Sequence, residues 1–405
     1  MPHPFERRIW LSVPHMGPGE RSYVDEAFRS NWMSTVGPNL SCLESEFEAL
    51  AGRPALAVTN GTAAIHLGVK LLGIGAGDEV VTPTLTFAAS CNPVRYEGGI
   101  PILLDSERQT WGIDPNLLAE FLERRARINR LPKAVIAVHL FGQGAQMAEI
   151  GSVCGRYEVP ILEDAAESLG ALQEGRHLGS FGDVAAYSFN GNKIITGAGG
   201  GILTCARRDW LERARHWATQ ARDEDPEGVR NYIHSELGYN YRLSNVLAGI
   251  VRGQLEVLEE RVAQRRAVFQ RYARAFADVP GLEAMPEYLG RGAGPSVGRS
   301  TRYLSGFLVD AHGFGMNARE LIRRLDAANV EARPVWRPMH LQPLYRLAER
   351  VGGSVAEDLH ARGILLPSSS SLPEEEQEFV IGRVVEAHRE SMSQRGGVGL
   401  VTALS

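Results

Sequence analysis

Lys193 stands in the run YSFNGNKIITGAGGG, residues 187–201, between a strand-like apolar segment and a string of glycines. Lysine is rarely buried without a partner, so an amine placed among small residues calls for a reason. Desolvation at a strand end disfavours the ammonium, and a neutral amine attacks carbonyls to form Schiff bases. Asp164 ends the run VPILED; in open α/β sheets ligands bind beyond the carboxyl ends of the strands, where an acid can hold a protonated nitrogen or a metal. In VTNGTAAIHL a strand ends at Thr59 and Asn60, and Gly61, Thr62 and Ala63 open a helix. Free amides at such a start bind phosphate, and Gly61 allows close backbone approach. Phe87, in TLTFAAS, offers a flat ring. Each residue also has a plainer reading. Lys193 could be a solvated or phosphate-binding lysine, Asp164 a cap beside a surface Glu163, Thr62 an ordinary helix cap, and Phe87 a core aromatic in a strand.

Taken together, a phosphate cup, a carboxylate for a ring nitrogen, an aromatic face and a Schiff-base lysine are the handles of pyridoxal 5′-phosphate. Rival phosphate motifs are missing. There is no GKS or GKT of a P-loop, and GIGAGDEV lacks the spacing and context of a dinucleotide fingerprint. The formal net charge of -5 comes with no basic stripe or tail, which gives nucleic-acid binding no electrostatic support. Cys42, Cys91, Cys154 and Cys205 are scattered, with no CxxC pair, as suits a reducing compartment. The N-terminus lacks the basic start and apolar core of a signal peptide. No apolar run approaches the roughly 18 residues of a membrane span, so the expectation is a cytoplasmic protein without membrane partners.

The elements that must hold these residues follow from the patterning. From about residue 55 to 205, continuous apolar runs such as AVIAV and VPILED alternate with helical patterns. That reads as an α/β fold with a mainly parallel sheet covered on both faces. Residues 246–275 carry helical spacing throughout and read as one connecting helix. The segment PEYLGRGAGPSVGRSTR reads as a glycine-rich loop, followed by a smaller α+β part with a final helix from about Pro373. The tail SQRGGVGLVTALS has no amphipathic pattern and is expected to be a mobile end or a docking strand. The domain boundary falls near residue 260, giving a large cofactor-binding domain over 1–260 and a smaller C-terminal domain over 261–405.

The chain resembles the DegT-like family of pyridoxal phosphate-dependent nucleotide-sugar aminotransferases. The likeness runs from LSVPHMGPGERSYVDEAFRSNWMSTVGPN to GILLPSSSSL and includes NGTAAIHL, GDEVVTPTLTFAAS, VHLFGQ, EDAAESLGA, SFNGNK and LGYNYRLSNVLAGIVRGQLE. It implies the fold type I (aspartate-aminotransferase-like) architecture, with a seven-stranded, mainly parallel sheet. By this resemblance Lys193 is the Schiff-base lysine and proton carrier, and Asp164 the partner of the pyridine nitrogen. Phe87 stacks on the ring, while the Thr62 and Ala63 amides and the Ser188 hydroxyl bind phosphate. Asn240 reaches the phosphate from a neighbouring subunit, which implies a homodimer with shared sites. Glu167 stands beside the cofactor where many relatives carry His or Gln. The segment EARPVWRPMHLQPLY is similar to the branch that aminates C4 of UDP-linked 4-keto-6-deoxy-N-acetylhexosamines, with L-glutamate as donor. There Arg333, Trp336 and His340 are candidate substrate contacts, Arg333 suiting a diphosphate; the plainer reading is a structural turn set by Pro334 and Pro338, with His340 packed inside. Amination at C3 of a dTDP-linked sugar, a sugar dehydratase and a non-catalytic sugar-binding regulator remain as alternatives. The dehydratase group generally carries histidine at the position of Lys193.

Overall fold

Strands form where apolar residues run without interruption. The computed structural model describes residues 7–228, 231–292 and 298–401. Its strands are β1 (Ala55–Val58), β2 (Glu79–Pro83), β3 (Ile100–Leu104), β4 (Ala134–Val138), β5 (Ile161–Asp164), β6 (Leu172–Gln173) and β7 (Arg176–His177). The later ones are β8 (Val184–Ser188), β9 (Gly201–Cys205), β10 (Leu282–Ala284), β11 (Ser305–Val309), β12 (Arg333–Pro334), β13 (Arg350–Val351) and β14 (Gly363–Leu366). Eight of them make one sheet in the order β1-β9-β8-β5-β4-β2-β3-β13. All neighbours run parallel except β9, which is antiparallel to both β1 and β8. The seven strands expected of this sheet are thus joined by an eighth, β13, which comes from the C-terminal part and pairs with β3. Every residue of β1, β4, β5 and β9 is buried, because helices cover both faces of the sheet and leave no polar side.

β10, β11, β14 and β12 form a second, antiparallel sheet. Its core includes Phe269, Tyr272, Phe276, Phe307 and Phe314, with Ile9 brought in from the N-terminal segment through a bridge to Val330. The connecting stretch is two helices, Asn245–Leu255 and Leu258–Phe276, broken at Val257 (φ -109°, ψ 8°) rather than one. The break lets the second helix serve both cores: Leu258 and Val262 pack in the large one, and Phe269, Tyr272 and Phe276 in the small one. At the C-terminus the backbone stays helical over Glu374–Val401, so the expected strand or loose end is a helix as far as residue 401; residues 402–405 lie outside the described residues. Of the glycine-rich loop, residues 293–297 also lie outside them, while Arg299 bridges to Leu172. Among the described residues no helix is long and apolar enough to cross a membrane.

Candidate active site

The parallel strands β1, β2, β4, β5 and β8 end on the same side of the sheet, and a cavity of about 310 Å³ opens there, within the range of ligand pockets. Of the residues singled out in the sequence it brings together Gly61, Thr62, Phe87, Asp164, Glu167, Ser188, Lys193 and Trp336. Strand register does most of this work. Asp164 is the last residue of β5, Ser188 the last of β8, and the helix Gly61–Leu71 begins three residues after β1. Gly201 lets β9 close over this junction, since a Cβ there would lie 2.6 Å from Asn60 C and 2.7 Å from Gly61 N. Those are backbone atoms that cannot yield, so only glycine fits.

The helix start differs in detail from expectation. Asn60, not Thr62, is the cap, and its Oδ1 accepts the Ala63 N–H at 2.8 Å. The Ala63 amide assigned to phosphate is therefore already engaged. Gly61 and Thr62 remain the amide-bearing residues that face the cavity. A Cβ on Gly61 would stand 2.9 Å from the Ser188 Cβ, so glycine keeps the cradle open beside that hydroxyl.

Two carboxylates end β5. Asp164 is 5% exposed; its Oδ2 accepts from Ser90 Oγ at 2.6 Å and its Oδ1 accepts the Ala166 N–H at 3.1 Å. It thus caps the next turn and faces the cavity at once. Ser90 in turn hydrogen-bonds Thr86 Oγ1 at 2.7 Å. Glu163 is not at the surface but wholly buried, because alternation along a strand sends it to the opposite face from Asp164. Its Oε1 accepts from the amides of Phe181 and Gly182, both at 2.6 Å, and its Oε2 from Gly179 N at 2.8 Å and His139 Nε2 at 3.0 Å. His139 Nδ1 accepts the Ala145 N–H at 3.2 Å, which leaves Nε2 as the donor to Glu163. Burial alone would push the Glu163 carboxyl up, but the His139 hydrogen bond, with the Gly182 and Gly179 amides, holds it below its ordinary range.

Lys193 reaches the cavity from the turn after β8. Its Nζ lies 3.4 Å from Glu167 Oε1 and 5.3 Å from the centre of the Tyr303 ring. The expected neutral amine is not what these surroundings produce. Burial does pull the Lys193 amine down, yet Glu167, Tyr303 and Asp164 outweigh it and raise it above its ordinary value. Glu167 Oε2 accepts the Phe141 N–H at 2.9 Å. Phe141 is buried with φ +54°, a left-handed conformation uncommon for a bulky residue. Gly142 follows at φ +89°, and a side chain there would run into Thr301 and the Tyr303 amide.

At the mouth, Phe87 is 62% exposed, so it is not a core aromatic; it precedes a short turn of 3₁₀ helix, with its ring centre 6.0 Å from that of Trp336. Trp336 Nε1 is buried without a hydrogen-bond partner among the described residues. The other candidates lie elsewhere. The Arg333 side chain is exposed, and its Nε donates to Glu331 Oε1 at 2.7 Å. His340 is packed inside, bonded through Nδ1 to Thr84 Oγ1 at 2.6 Å and through Nε2 to Glu357 Oε1 at 3.0 Å. Neither lines the cavity. Asn240 is exposed; its backbone bridges to Thr219 and its Oδ1 accepts from the Gln220 side chain at 3.1 Å, between two anchored neighbours. Tyr239 and Tyr241 stack at 4.8 Å, with Tyr239 bonded to Glu97 and Tyr241 to His66.

An amine, a buried carboxylate, a helix N-terminus with a glycine cradle and an aromatic at the mouth of one cavity fit pyridoxal 5′-phosphate. Ser90, His139 and Tyr303 were not foreseen. His139 directly follows the apolar run of β4, the same strand-end signal that marked Asp164, whereas Tyr303 carries no local signal. Residues 14–385 match the DegT/DnrJ/EryC1/StrS aminotransferase family. Over 385 residues the chain is 46% identical to EpsN of Bacillus subtilis (strain 168), which carries the provisional designation pyridoxal phosphate-dependent aminotransferase; the match covers 94% of this chain and 95% of that protein. It is 35% identical over 377 residues to the GDP-perosamine synthase of Caulobacter vibrioides, covering 92% and 96%. Among solved structures, the aminotransferase TlmJ from Streptoalloteichus hindustanus superposes with a TM-score of 0.84 at 28% identity, over 94% of this chain and 98% of that one.

Proposed function

We propose, from the premise that the chain belongs to the DegT/DnrJ/EryC1/StrS aminotransferase family and is a pyridoxal phosphate-dependent sugar aminotransferase, a specific reaction. It moves the amino group of L-glutamate to C4 of a UDP-linked 4-keto-6-deoxy-N-acetylhexosamine. The observation that carries the reading is the single cavity that holds the Lys193 amine, the Asp164 carboxylate and the start of the Gly61–Leu71 helix.

Pyridoxal phosphate supplies an electron sink for a carbanion at the amino-acid Cα. This chain's own residues do the rest. With that group bound, Lys193 Nζ would hold its aldehyde and, once freed by a donor amine, would carry the proton to and from the substrate Cα. Asp164, fixed by Ser90 and the Ala166 amide, keeps the ring nitrogen protonated. The Gly61 and Thr62 amides and the Ser188 hydroxyl hold phosphate, and Phe87 covers the ring. Trp336, which lines the cavity and whose indole N–H has no partner among the described residues, would be the member of the RPVWRPMH segment that meets the sugar. Asn240, exposed and away from its own chain's cavity, suits a role in the cavity of a second copy, making the enzyme a homodimer.

A second reading has a specific basis. Three relatives at 35%, 31% and 30% identity are named GDP-perosamine synthase, which makes a GDP-linked keto sugar the rival acceptor. The test is the absorption spectrum of the protein loaded with pyridoxal phosphate while L-glutamate is added. The band of the lysine-bonded cofactor should fall as that of pyridoxamine 5′-phosphate grows. UDP- and GDP-linked keto sugars, offered separately, should then differ in which restores the first band. A spectrum that L-glutamate leaves unchanged would sink the donor.

A further inference from the structure

The chain contains three lysines, Lys70, Lys133 and Lys193, and uses arginine for its other long cationic side chains. Arginine cannot give up its proton in a protein, so Lys193 is the one long cation at the cavity able to do so. What surrounds it is correspondingly deliberate. Glu167 Oε1 lies 3.4 Å away, with both side chains largely withdrawn from water. The second carboxylate oxygen is tied to the Phe141 amide at 2.9 Å. That amide points at Glu167 because Phe141 adopts φ +54°, and the buried ring is wedged between Trp111 and Trp336, at 6.2 and 5.6 Å. Strain at such a residue persists only where its surroundings over-determine it. The strained turn thus aims one donor at Glu167 and leaves the other oxygen for the lysine.

The geometry points to Glu167 as the positioning residue of Lys193: pinned by the Phe141 amide, its carboxylate holds the free lysine over the Tyr303 face. This rests on the assignment of Lys193 made under Proposed function, and gives Glu167 a part distinct from contact with the cofactor. Every charged group around the amine bears on the argument. Glu167 and Asp164 face it from the end of β5 and the segment after it, and Tyr303 from below. Arg265, 5.1 Å from the same ring, lies on the helix behind Tyr303, and Arg333 acts on that phenol from β12. The negative groups prevail over burial at Lys193, and Glu167 is the nearest of them. A neutral side chain in its place removes the largest attraction and leaves Tyr303 and Asp164 to work against desolvation.

The test needs no turnover. The full-length chain, freed of cofactor, is treated with acetic anhydride across a pH series, and acetylation of the Lys193 peptide is read by mass spectrometry. Lys133, exposed, serves as the internal reference. In Glu167→Gln the midpoint for Lys193 should move down by about one pH unit or more, as loss of an opposite charge at this distance implies, while Lys133 stays put. Glu167→Asp, which keeps the charge, should return the midpoint most of the way. An unchanged midpoint in Glu167→Gln, or equal shifts in the Gln and Asp variants, would overturn the proposal. Borohydride trapping of pyridoxal phosphate in the wild-type chain reports separately on the site. A label found on a lysine other than Lys193 would overturn the functional reading, and the acetylation midpoints would still decide the role of Glu167.

Discussion

Glu163 and Glu167 lie four residues apart in the sequence, yet the end of β5 and the cavity wall beyond it are built on opposite terms. At the floor Asp164 receives two donors, and on the other face of the same strand Glu163, which supports it, receives four, all within 3.1 Å, so every carboxylate oxygen is spoken for. On the wall, Glu167 has one firm bond to the Phe141 amide and a looser approach to Lys193 at 3.4 Å. Saturated buried groups fix geometry, since any unmet donor or acceptor would cost the fold. A group left with spare capacity can exchange partners during a reaction. The floor therefore locates the chemistry, and the wall carries it.

That contrast can be broken at several points. The largest effect should come from the wall: Lys193→Ala should cut turnover by roughly 10³-fold or more while thermal unfolding stays close to wild type. Full activity in that variant would end the account. The floor should behave in the reverse sense. Glu163→Gln leaves buried donors unmet and should cost about 3–5 kcal/mol of stability in denaturant titration. Because the folded Glu163 carboxyl lies below its ordinary range, its contribution is present above about pH 4.3 and is lost as pH falls through the depressed value. The gap between wild-type and variant melting temperatures should accordingly hold from neutral pH down to about 5 and close at lower pH; a gap that widens with acid would contradict the sign.

Ser90→Ala sharpens the comparison, for it frees one oxygen of Asp164 and makes the floor more like the wall. Cofactor retention should weaken by about 1–2 kcal/mol, read as a roughly tenfold faster loss of bound pyridoxal phosphate on dilution. Retention equal to wild type would show that the Ala166 amide alone suffices. The smallest change lies in the glycine run after Lys193. Ala198 sits at φ +61°, where a Cβ is penalised, so Ala198→Gly should gain about 0.5–1 kcal/mol without touching activity. A loss of stability there would mean the Ala198 methyl makes contacts that outweigh its strain.

The floor was open to reading from the sequence because strand ends are set by register. A buried apolar run announces where a strand stops, and Asp164 and the helix start at Gly61 follow from that alone, whereas Ser188 rests on the family resemblance. The wall was only half open to it. Lys193 is conspicuous, but Tyr303 and the Phe141 turn reach it from distant points in the chain, and nothing local marks them. The balance of charge at Lys193 could not be read for the same reason, since its sign depends on groups far off in sequence. The proline-rich segment shows a third case. Two prolines fix a turn whose periodicity is neither that of helix nor of strand, so the pattern offers Arg333, Trp336 and His340 alike and does not separate Trp336, which faces the cavity, from His340, which turns inward to Thr84 and Glu357. The helix break at Val257 was hidden because apolar spacing continues straight through it.

The short strand β13 has a consequence for how the chain comes into being. Leu103 N–H donates to Glu349 O at 2.8 Å and Asp105 N–H to Val351 O at 2.9 Å, so the edge of the large sheet is closed by backbone made some 250 residues after β3. On the ribosome, β3 emerges early and waits as an open edge, the kind of surface that recruits strands from other chains. Completion of the sheet belongs to the last stage of translation, and a nascent or truncated chain that stops before Arg350 carries its aggregation hazard at β3.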